Sequence, residues 1–174
     1  MGTIDIASLV RQHLKPLVLF ARQWDDVSAE DTVHDAFVRL AELVRDEKPP
    51  ENAVGWLYRV VRNGAIDRLR KKRQTSKHAE NYARQNGDWF VSRTHVEGVL
   101  DNKIDGHMLT EMLRQLPLEQ REVIVARLWG GLSFRDVAEL VGRPFTTVRR
   151  EYQNGLETLR SKLLPENLDE GEVQ

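Results

Sequence analysis

The chain has 174 residues, of which 40% are hydrophobic and 30% charged, and its formal net charge is −1. Such a chain is too near neutrality to be a uniform polycation, so a nucleic-acid surface would have to come from local clusters of basic side chains. Cysteine is absent from the sequence, which excludes disulfides, thiolate metal sites and cysteine nucleophiles and is typical of a reducing compartment.

The first predicted element is an amphipathic helix, with apolar side chains at helical spacing between Leu9 and Phe20. Three polar residues interrupt its apolar stretch: Arg11, His13 and Lys15. No part of the sequence approaches the ~20 consecutive apolar residues of a membrane span, and the N-terminus lacks the pattern of a signal peptide. We therefore expect a soluble, cytoplasmic protein without a membrane partner.

Two further helices are predicted before residue 74. Ser28 and Asp31 have the spacing of a capping box, in which a hydroxyl and a carboxylate satisfy backbone N–H groups at the start of a helix. Apolar residues then recur every three or four positions through 33–44, and this pattern breaks at Glu47–Glu51. It returns through 54–69, which predicts the third helix.

Between residues 74 and 107 the apolar period is lost. Polar residues dominate there, and Trp89, Phe90 and Val91 form an isolated apolar group. We interpret this segment as a flexible linker with one docking point. The last residues, 165–174, are acidic, which is typical of a solvated, disordered tail.

Helical periodicity returns from Met108. A helix that ends near Leu116 is followed by Pro117, which suits the first turn of a helix that stops at Gly130. The residues expected to be buried in that helix are Val123, Ile124, Ala126 and Leu128. The predicted fold is all-α, with two small helical domains at 1–73 and 108–164 joined by the flexible linker at 74–107, the C-terminal domain containing a helix-turn-helix.

The helix-turn-helix is predicted from Ser133 onward. Ser133 begins its first helix with a capping box. Ala138 is small enough for two helices to cross, and Gly142 suits a left-handed turn between them, while Val148 packs the second helix. The alternative is an ordinary αα-hairpin with a solvated face. The outward face of the second helix carries side chains of the kind that contact base edges and phosphates in the major groove, namely Phe145, Thr146, Thr147, Arg149, Arg150, Gln153 and Asn154.

The third predicted helix continues into a strongly basic run that ends at Arg73, where Asp67 is the single acidic residue. A helix of this kind neutralises phosphates, and aromatic side chains just upstream can stack on unpaired bases. The alternative is a solvated charged face with the aromatic residues in the core. The candidate nucleic-acid residues of this helix are Trp56, Tyr58, Arg59, Arg62, Asn63, Arg68, Arg70 and Lys71.

Several motifs, in the same order along the chain, resemble the bacterial sigma-70 family. AEDTVHDAFVRL, GWLYRVVRN and DRLR, at 29–40, 55–63 and 67–70, are similar to its promoter-melting domain. LPLEQREV, GLSFRDVAEL and TVR, at 116–123, 131–140 and 147–149, are similar to its −35-reading domain. The short chain, with nothing substantial between the two domains, resembles the extracytoplasmic-function group.

This resemblance implies a sigma factor that binds core RNA polymerase and directs initiation at promoter DNA. The basic helix with Asn63 and the loop before it would recognise the −10 element and hold it open, and the recognition helix would read the −35 element. The linker would thread toward the polymerase active centre, and an anti-sigma factor is a further implied partner. The residues that would dock on the polymerase are Asp31, Asp35, Phe37, Val38 and Leu40.

The sequence departs from the family pattern in the recognition helix. Arg149, Arg150 and Glu151 stand where Lys-Ser-Arg is common, and Gly155 stands where alanine is usual. Glycine at this position would cost the helix up to ~1 kcal/mol relative to alanine. Glu151 would either accept a hydrogen bond from a cytosine or orient an arginine.

Two other classes of function are weighed against the sigma factor. A helix-turn-helix regulator that acts without polymerase would leave the basic helix and the 29–40 motif unexplained. An enzyme is not expected, because the five histidines are scattered and no catalytic constellation is present. Glu30, Asp31 and Asp35 are the one acidic cluster able to hold a cation, and a docking face is the better interpretation. No metal, cofactor or small-molecule substrate is expected.

Overall fold

The computed structural model describes residues 4–79 and 111–163. Most of the predicted linker, with its apolar group at 89–91, and the acidic tail lie outside the described residues. Within the two described ranges the regular structure is helical and no strand is present, which confirms the all-α prediction. None of the described helices has the length and apolar content to cross a membrane. The helices with both ends described are α1 (Ile6–Ala21), α2 (Ala29–Arg45), α3 (Ala53–Ala79), α4 (Leu118–Ile124), α5 (Phe134–Val141) and α6 (Phe145–Leu163), with a π-helical turn (Val125–Trp129) directly after α4. Residues 111–114 are also helical.

Helices α1, α2 and α3 pack against one another and form the N-terminal half. Asp5 caps α1, because its carboxylate accepts a hydrogen bond from the Ser8 backbone N–H at 3.1 Å. The side chains of Leu17, Phe20 and Leu57 are fully buried between the helices. The apolar stripe predicted for α1 therefore forms one wall of the core.

The predicted capping box at the start of α2 is wrong. Ser28 is the residue before α2, but its side chain makes no capping hydrogen bond. Its hydroxyl donates instead to Asp25 Oδ2 at 2.7 Å and does not accept from the Asp31 backbone N–H, as a capping box requires. The hydrogen bond from Ser28 lowers the pKa of the Asp25 carboxyl, and its effect is larger than the opposite effect of burial.

Helix α3 extends to Ala79, beyond the predicted domain boundary at Arg73. The Asn52 side chain accepts a hydrogen bond from the Gly55 backbone N–H at 2.9 Å and so caps its first turn. Val61 and Ala65 lie on its buried face. The basic residues therefore lie on a helix that is anchored at its start and packed along one side.

The π-helical turn after α4 alters which residues are buried. Val123, Ile124 and Ala126 are buried as expected, but Leu128 is 49% exposed and Val125 is fully buried. A π-turn adds one residue to a helical turn, so the apolar stripe changes face at this point. The prediction that Leu128 is buried was wrong for this reason.

The predicted helix-turn-helix is present as α5, a turn and α6. Ser133 and Asp136 form the complete capping box at the start of α5. Gly142 ends α5 in the left-handed conformation with φ 68°, and Val148 on α6 is fully buried. Helix α6 passes so close to α4 that a Cβ on Gly155 would lie 2.4 Å from Ile124 Cδ1. Ile124 Cδ1 would have to move to admit that Cβ, so glycine at position 155 allows the close packing of α6 on α4.

The two halves of the chain share one hydrophobic core in this structure. The π-helical turn packs on α1, and α5 packs on α3. Tyr58 of α3 is fully buried between Phe20, whose ring centroid is 5.0 Å away, and the backbone at Gly130. Among the described residues, the Tyr58 hydroxyl has no hydrogen-bond partner.

Candidate nucleic-acid interface

The outward face of α6 presents a row of donor groups to solvent. Thr146, Arg149, Arg150, Gln153 and Asn154 are exposed, and Thr147 is half-buried. Phe145 is exposed at the start of the helix, with its ring packed edge-on against Phe134. Within the described parts of the chain, Arg149 and Arg150 are exposed and make no ion pair, so both guanidinium groups are available to an external anion. All seven predicted residues therefore lie on or beside one accessible helix surface.

Glu151 is one of the two acidic residues on α6, and its carboxylate turns away from this surface. Its carboxylate accepts a hydrogen bond from Arg143 Nη1 at 2.5 Å, and only 17% of its side chain is exposed. Of the two interpretations of Glu151, this geometry favours the one in which it orients an arginine.

The predicted basic surface of α3 divides into free and paired residues. Asn63, Arg70 and Lys71 are exposed. Arg68 Nη2 lies 2.6 Å from Asp35 Oδ2 of α2. The remaining two arginines, Arg59 and Arg62, contact the C-terminal half.

Both contacts are ion pairs that cross between the halves. Arg59 Nη2 lies 2.8 Å from Glu139 Oε1 on α5, and Arg62 Nε lies 2.9 Å from Glu122 Oε2 on α4. The Arg62 guanidinium carbon also lies 5.9 Å from the centre of the Trp24 ring, within range of a cation–π contact. Together with Arg68, three of the candidate nucleic-acid residues on α3 therefore already have protein partners.

The two aromatic candidates on α3 lie against the protein. Tyr58 is fully buried, and burial raises its pKa. Trp56 is half-buried and packs against the same core. The structure therefore corrects the expectation for Tyr58: its ring is a core side chain here and has no face open to a base.

The α2 candidates also separate by burial. Asp31 and Asp35 are exposed and Val38 is 44% exposed, whereas Phe37 and Leu40 are buried. A partner that docks on α2 can contact the first three directly. Phe37 and Leu40 instead hold the helix in place, so the expectation that they contact a partner is corrected.

The sequence analysis did not identify Glu122, a buried carboxylate that pairs with two arginines. This residue is only 4% exposed, and its two oxygens accept hydrogen bonds from Arg62 and Arg143. Burial raises the pKa of the Glu122 carboxyl, against the opposite effect of the two arginines. A glutamate followed directly by the apolar run Val123–Ala126 was the signal that would have identified it.

The described residues contain no cluster of histidine and carboxylate side chains that could hold a metal ion. The acidic cluster considered on α2 is instead divided among ion pairs: Glu30 with Arg22, and Asp35 with Arg68.

Comparisons with known proteins agree with this arrangement of two halves. Residues 9–75 match the family model of sigma-70 region 2, and residues 106–159 match that of sigma-70 region 4. The ECF RNA polymerase sigma factor SigW of Bacillus subtilis is 30% identical over 140 residues, which cover 78% of this chain and 75% of SigW. The RNA polymerase sigma factor SigV of the same organism is 25% identical over 149 residues, which cover 86% of this chain and 82% of SigV.

Among solved structures, the sigma factor RpoE of Bartonella quintana, in complex with the anti-sigma factor NepR, has a similar fold. The TM-score is 0.69 at 20% identity, and the match covers 91% of this chain and 96% of RpoE. The two family matches and the similarity to SigW cover both halves of the molecule. The chain therefore belongs to the extracytoplasmic-function group of the sigma-70 family, whose members direct RNA polymerase to promoters.

Proposed function

We propose that the two halves of this sigma factor divide promoter recognition between them. Helix α6 would read the −35 element, α3 and the loop before it would hold the −10 element open, and α2 would dock on core RNA polymerase. The observation that carries the proposal is the row of unpaired donor groups on the outward face of α6, on a helix whose angle is set by Gly142.

The −35 role is supported by the chemistry of that row. Arginine contacts guanine edges or phosphates, and asparagine and glutamine contact adenine edges. Arg149, Arg150, Gln153 and Asn154 supply these groups within two turns of helix, and all four are exposed. Thr146, Thr147 and Phe145, at the start of the helix, add a hydroxyl pair and an apolar contact suited to a thymine methyl.

The −10 role is supported by Asn63 and the exposed cations that follow it on α3. Asn63 suits a bidentate contact with a base edge, while Arg70 and Lys71, about two turns further on, suit phosphates. Capture of an unpaired base outside the duplex lowers the cost of strand separation. Arg59, Arg62 and Arg68 would join this surface once their present partners are displaced.

The polymerase role is supported by the exposed face of α2. Asp31 and Asp35 present negative charge beside the apolar side chain of Val38, a combination suited to a partner surface with basic and apolar groups. Since Phe37 and Leu40 fix α2 from behind, this face is presented by a rigid helix.

The chain would carry out no chemistry of its own and would act in the cytoplasm, where polymerase and promoters are found. RpoE is observed with an anti-sigma factor, and we propose that a protein of that kind also controls this chain. Such a partner would act by covering α2 or by holding the two halves together.

Reconstitution with core RNA polymerase tests the function. The purified chain is added to core enzyme and genomic DNA, and transcript starts are sequenced. We expect starts that share two upstream elements separated by a fixed spacing. The alternative is a helix-turn-helix regulator. It would be supported if the chain does not associate with core polymerase and binds duplex DNA as tightly without polymerase as with it.

A further inference from the structure

The residue that organises the C-terminal half is Arg143, in the turn between α5 and α6. Its Nη1 donates to Glu151 on α6, and its Nη2 donates to Glu122 on α4 and lies 3.5 Å from the Glu119 carbonyl oxygen. About 20% of its side chain is exposed. One guanidinium therefore joins the recognition helix, the turn before it and the helix behind it.

Glu151 needs such a partner because of where it lies on α6. It is three residues after Val148 and four before Gly155, both of which are buried, so it stands at the edge of the packed face. It also directly follows Arg149 and Arg150, at a position where the family commonly has arginine. An unpaired carboxylate there would swing toward DNA and oppose binding of the phosphate backbone.

Glu122 needs the same arginine for a different reason. In this structure the buried carboxylate has two cationic partners, Arg62 from α3 and Arg143. If the two halves separate, Arg62 leaves with α3. Arg143 then supplies the counter-charge that a buried carboxylate requires, since removing the partners of such a group is strongly destabilising.

We propose that Arg143 is a positioning residue for −35 recognition, holding Glu151 against the protein and fixing α6 on α4 through Glu122. The proposal depends on the −35 role proposed for α6. Arginine suits this role because its planar guanidinium group can donate to two carboxylates at once in a fixed geometry. The ammonium group of lysine has no such fixed geometry.

The test uses the full chain bound to core polymerase and a promoter fragment mapped for it, with the −35 element either intact or scrambled. The measured quantity is the ratio of the two affinities. Arg143→Met is expected to reduce this ratio about ten-fold, the scale of one lost DNA contact. Arg143→Met/Glu151→Gln is expected to recover most of the loss, because the carboxylate that opposes DNA is gone.

Two further variants separate positioning from general damage. Arg160→Met removes one exposed arginine from the last turn of α6 and is expected to leave the ratio unchanged. Arg143→Lys keeps the charge and is expected to fold even if Arg143→Met does not. Its ratio of affinities for the intact and scrambled fragments should be lower than that of the wild type, and adding Glu151→Gln to Arg143→Lys should restore it.

A merely structural role for Arg143 predicts that Glu151→Gln rescues nothing, and that result would overturn the proposal. The proposal would also be overturned if Arg143→Met and Arg143→Lys both have the wild-type ratio of affinities. If the wild-type complex itself does not distinguish the two fragments, the −35 role of α6 fails before the variants are compared.

Discussion

Arg62 and Glu122 form an ion pair that joins the two halves of the chain, with 2.9 Å between Nε and Oε2. Arg59 of α3 and Glu139 of α5 form a second, more exposed ion pair between the two halves. Both arginines lie on the helix proposed to hold the −10 element. If these arginines contact DNA as proposed, both ion pairs must first break.

Arg62→Met is expected to open the free protein. The substitution leaves Glu122 with Arg143 alone and destabilises the packing of the two halves by about 1.5–3 kcal/mol, the usual worth of a hydrogen bond to a charged group. Because the sequence has no cysteine, labels can be placed at Glu42→Cys on α2 and Glu157→Cys on α6. Energy transfer between them should fall in Arg62→Met.

The matched control for this experiment is Arg68→Met. It removes an arginine from the same helix, but its partner Asp35 lies within the N-terminal half. Energy transfer should stay at the wild-type level. Equal transfer in Arg62→Met and wild type would mean that apolar packing alone keeps the halves together.

Asn63→Ala is expected to impair promoter opening more than closed binding. Loss of one bidentate base contact costs about 1–3 kcal/mol, and the base is exposed only after strand separation. Permanganate reactivity of −10 thymines measures opening, and gel retardation at low temperature measures closed binding. Equal losses in the two assays would argue against a melting role.

Asp35→Arg is expected to weaken binding to core polymerase and to leave −35 DNA binding unaffected. It reverses a charge on the exposed face of α2 and also breaks the pair with Arg68. Arg68→Met breaks the same pair without altering α2, so it separates the two effects. If both variants lose polymerase affinity equally, the ion pair rather than the α2 surface is responsible.

Gly155→Ala is expected to lower the free energy of unfolding even though alanine favours helices by ~1 kcal/mol. The added Cβ meets Ile124 Cδ1 at 2.4 Å, and overpacking of this kind costs about 1–3 kcal/mol. Ile124→Val removes that methyl group. The double variant Ile124→Val/Gly155→Ala should regain stability in denaturant unfolding, and a further loss would contradict the packing argument.

Arg149→Ala and Arg150→Ala are expected to change different properties of DNA binding if one arginine contacts bases and the other contacts phosphates. A base contact is worth about 1–3 kcal/mol and its loss relaxes sequence preference, whereas a lost phosphate contact lowers the salt dependence of binding by about one unit of slope. Promoter titrations at several salt concentrations measure both quantities. Two variants identical to wild type would place the DNA surface elsewhere.

The helix-turn-helix was predictable because local chemistry determines it. Ser133 and Asp136 satisfy one another within a single turn, and Gly142 adopts the one conformation that ends α5 without steric cost. Exposure along α6 followed from the same periodicity. These features involve residues close together in the sequence.

The features that the sequence analysis missed depend on competing hydrogen-bond partners, on an irregular helical turn, or on packing between helices. Ser28 was expected to cap α2, but Asp25 competes for its hydroxyl. The exposure of Leu128 results from the π-helical turn, which periodicity does not reveal. Tyr58 was assigned to DNA because it adjoins a basic run, whereas Gly130 of the other half covers it. No local pattern indicates which helix will pack on which.

The hydroxyl of Tyr58 has a thermodynamic consequence for that packing. A buried polar group deprived of a hydrogen bond costs about 1–3 kcal/mol, and water restores the bond as soon as Gly130 moves away. The closed arrangement thus contains an unfavourable contribution that opening removes. Phenylalanine at position 58 would remove this contribution, so the packing of α3 on Gly130 would be tighter and slower to release.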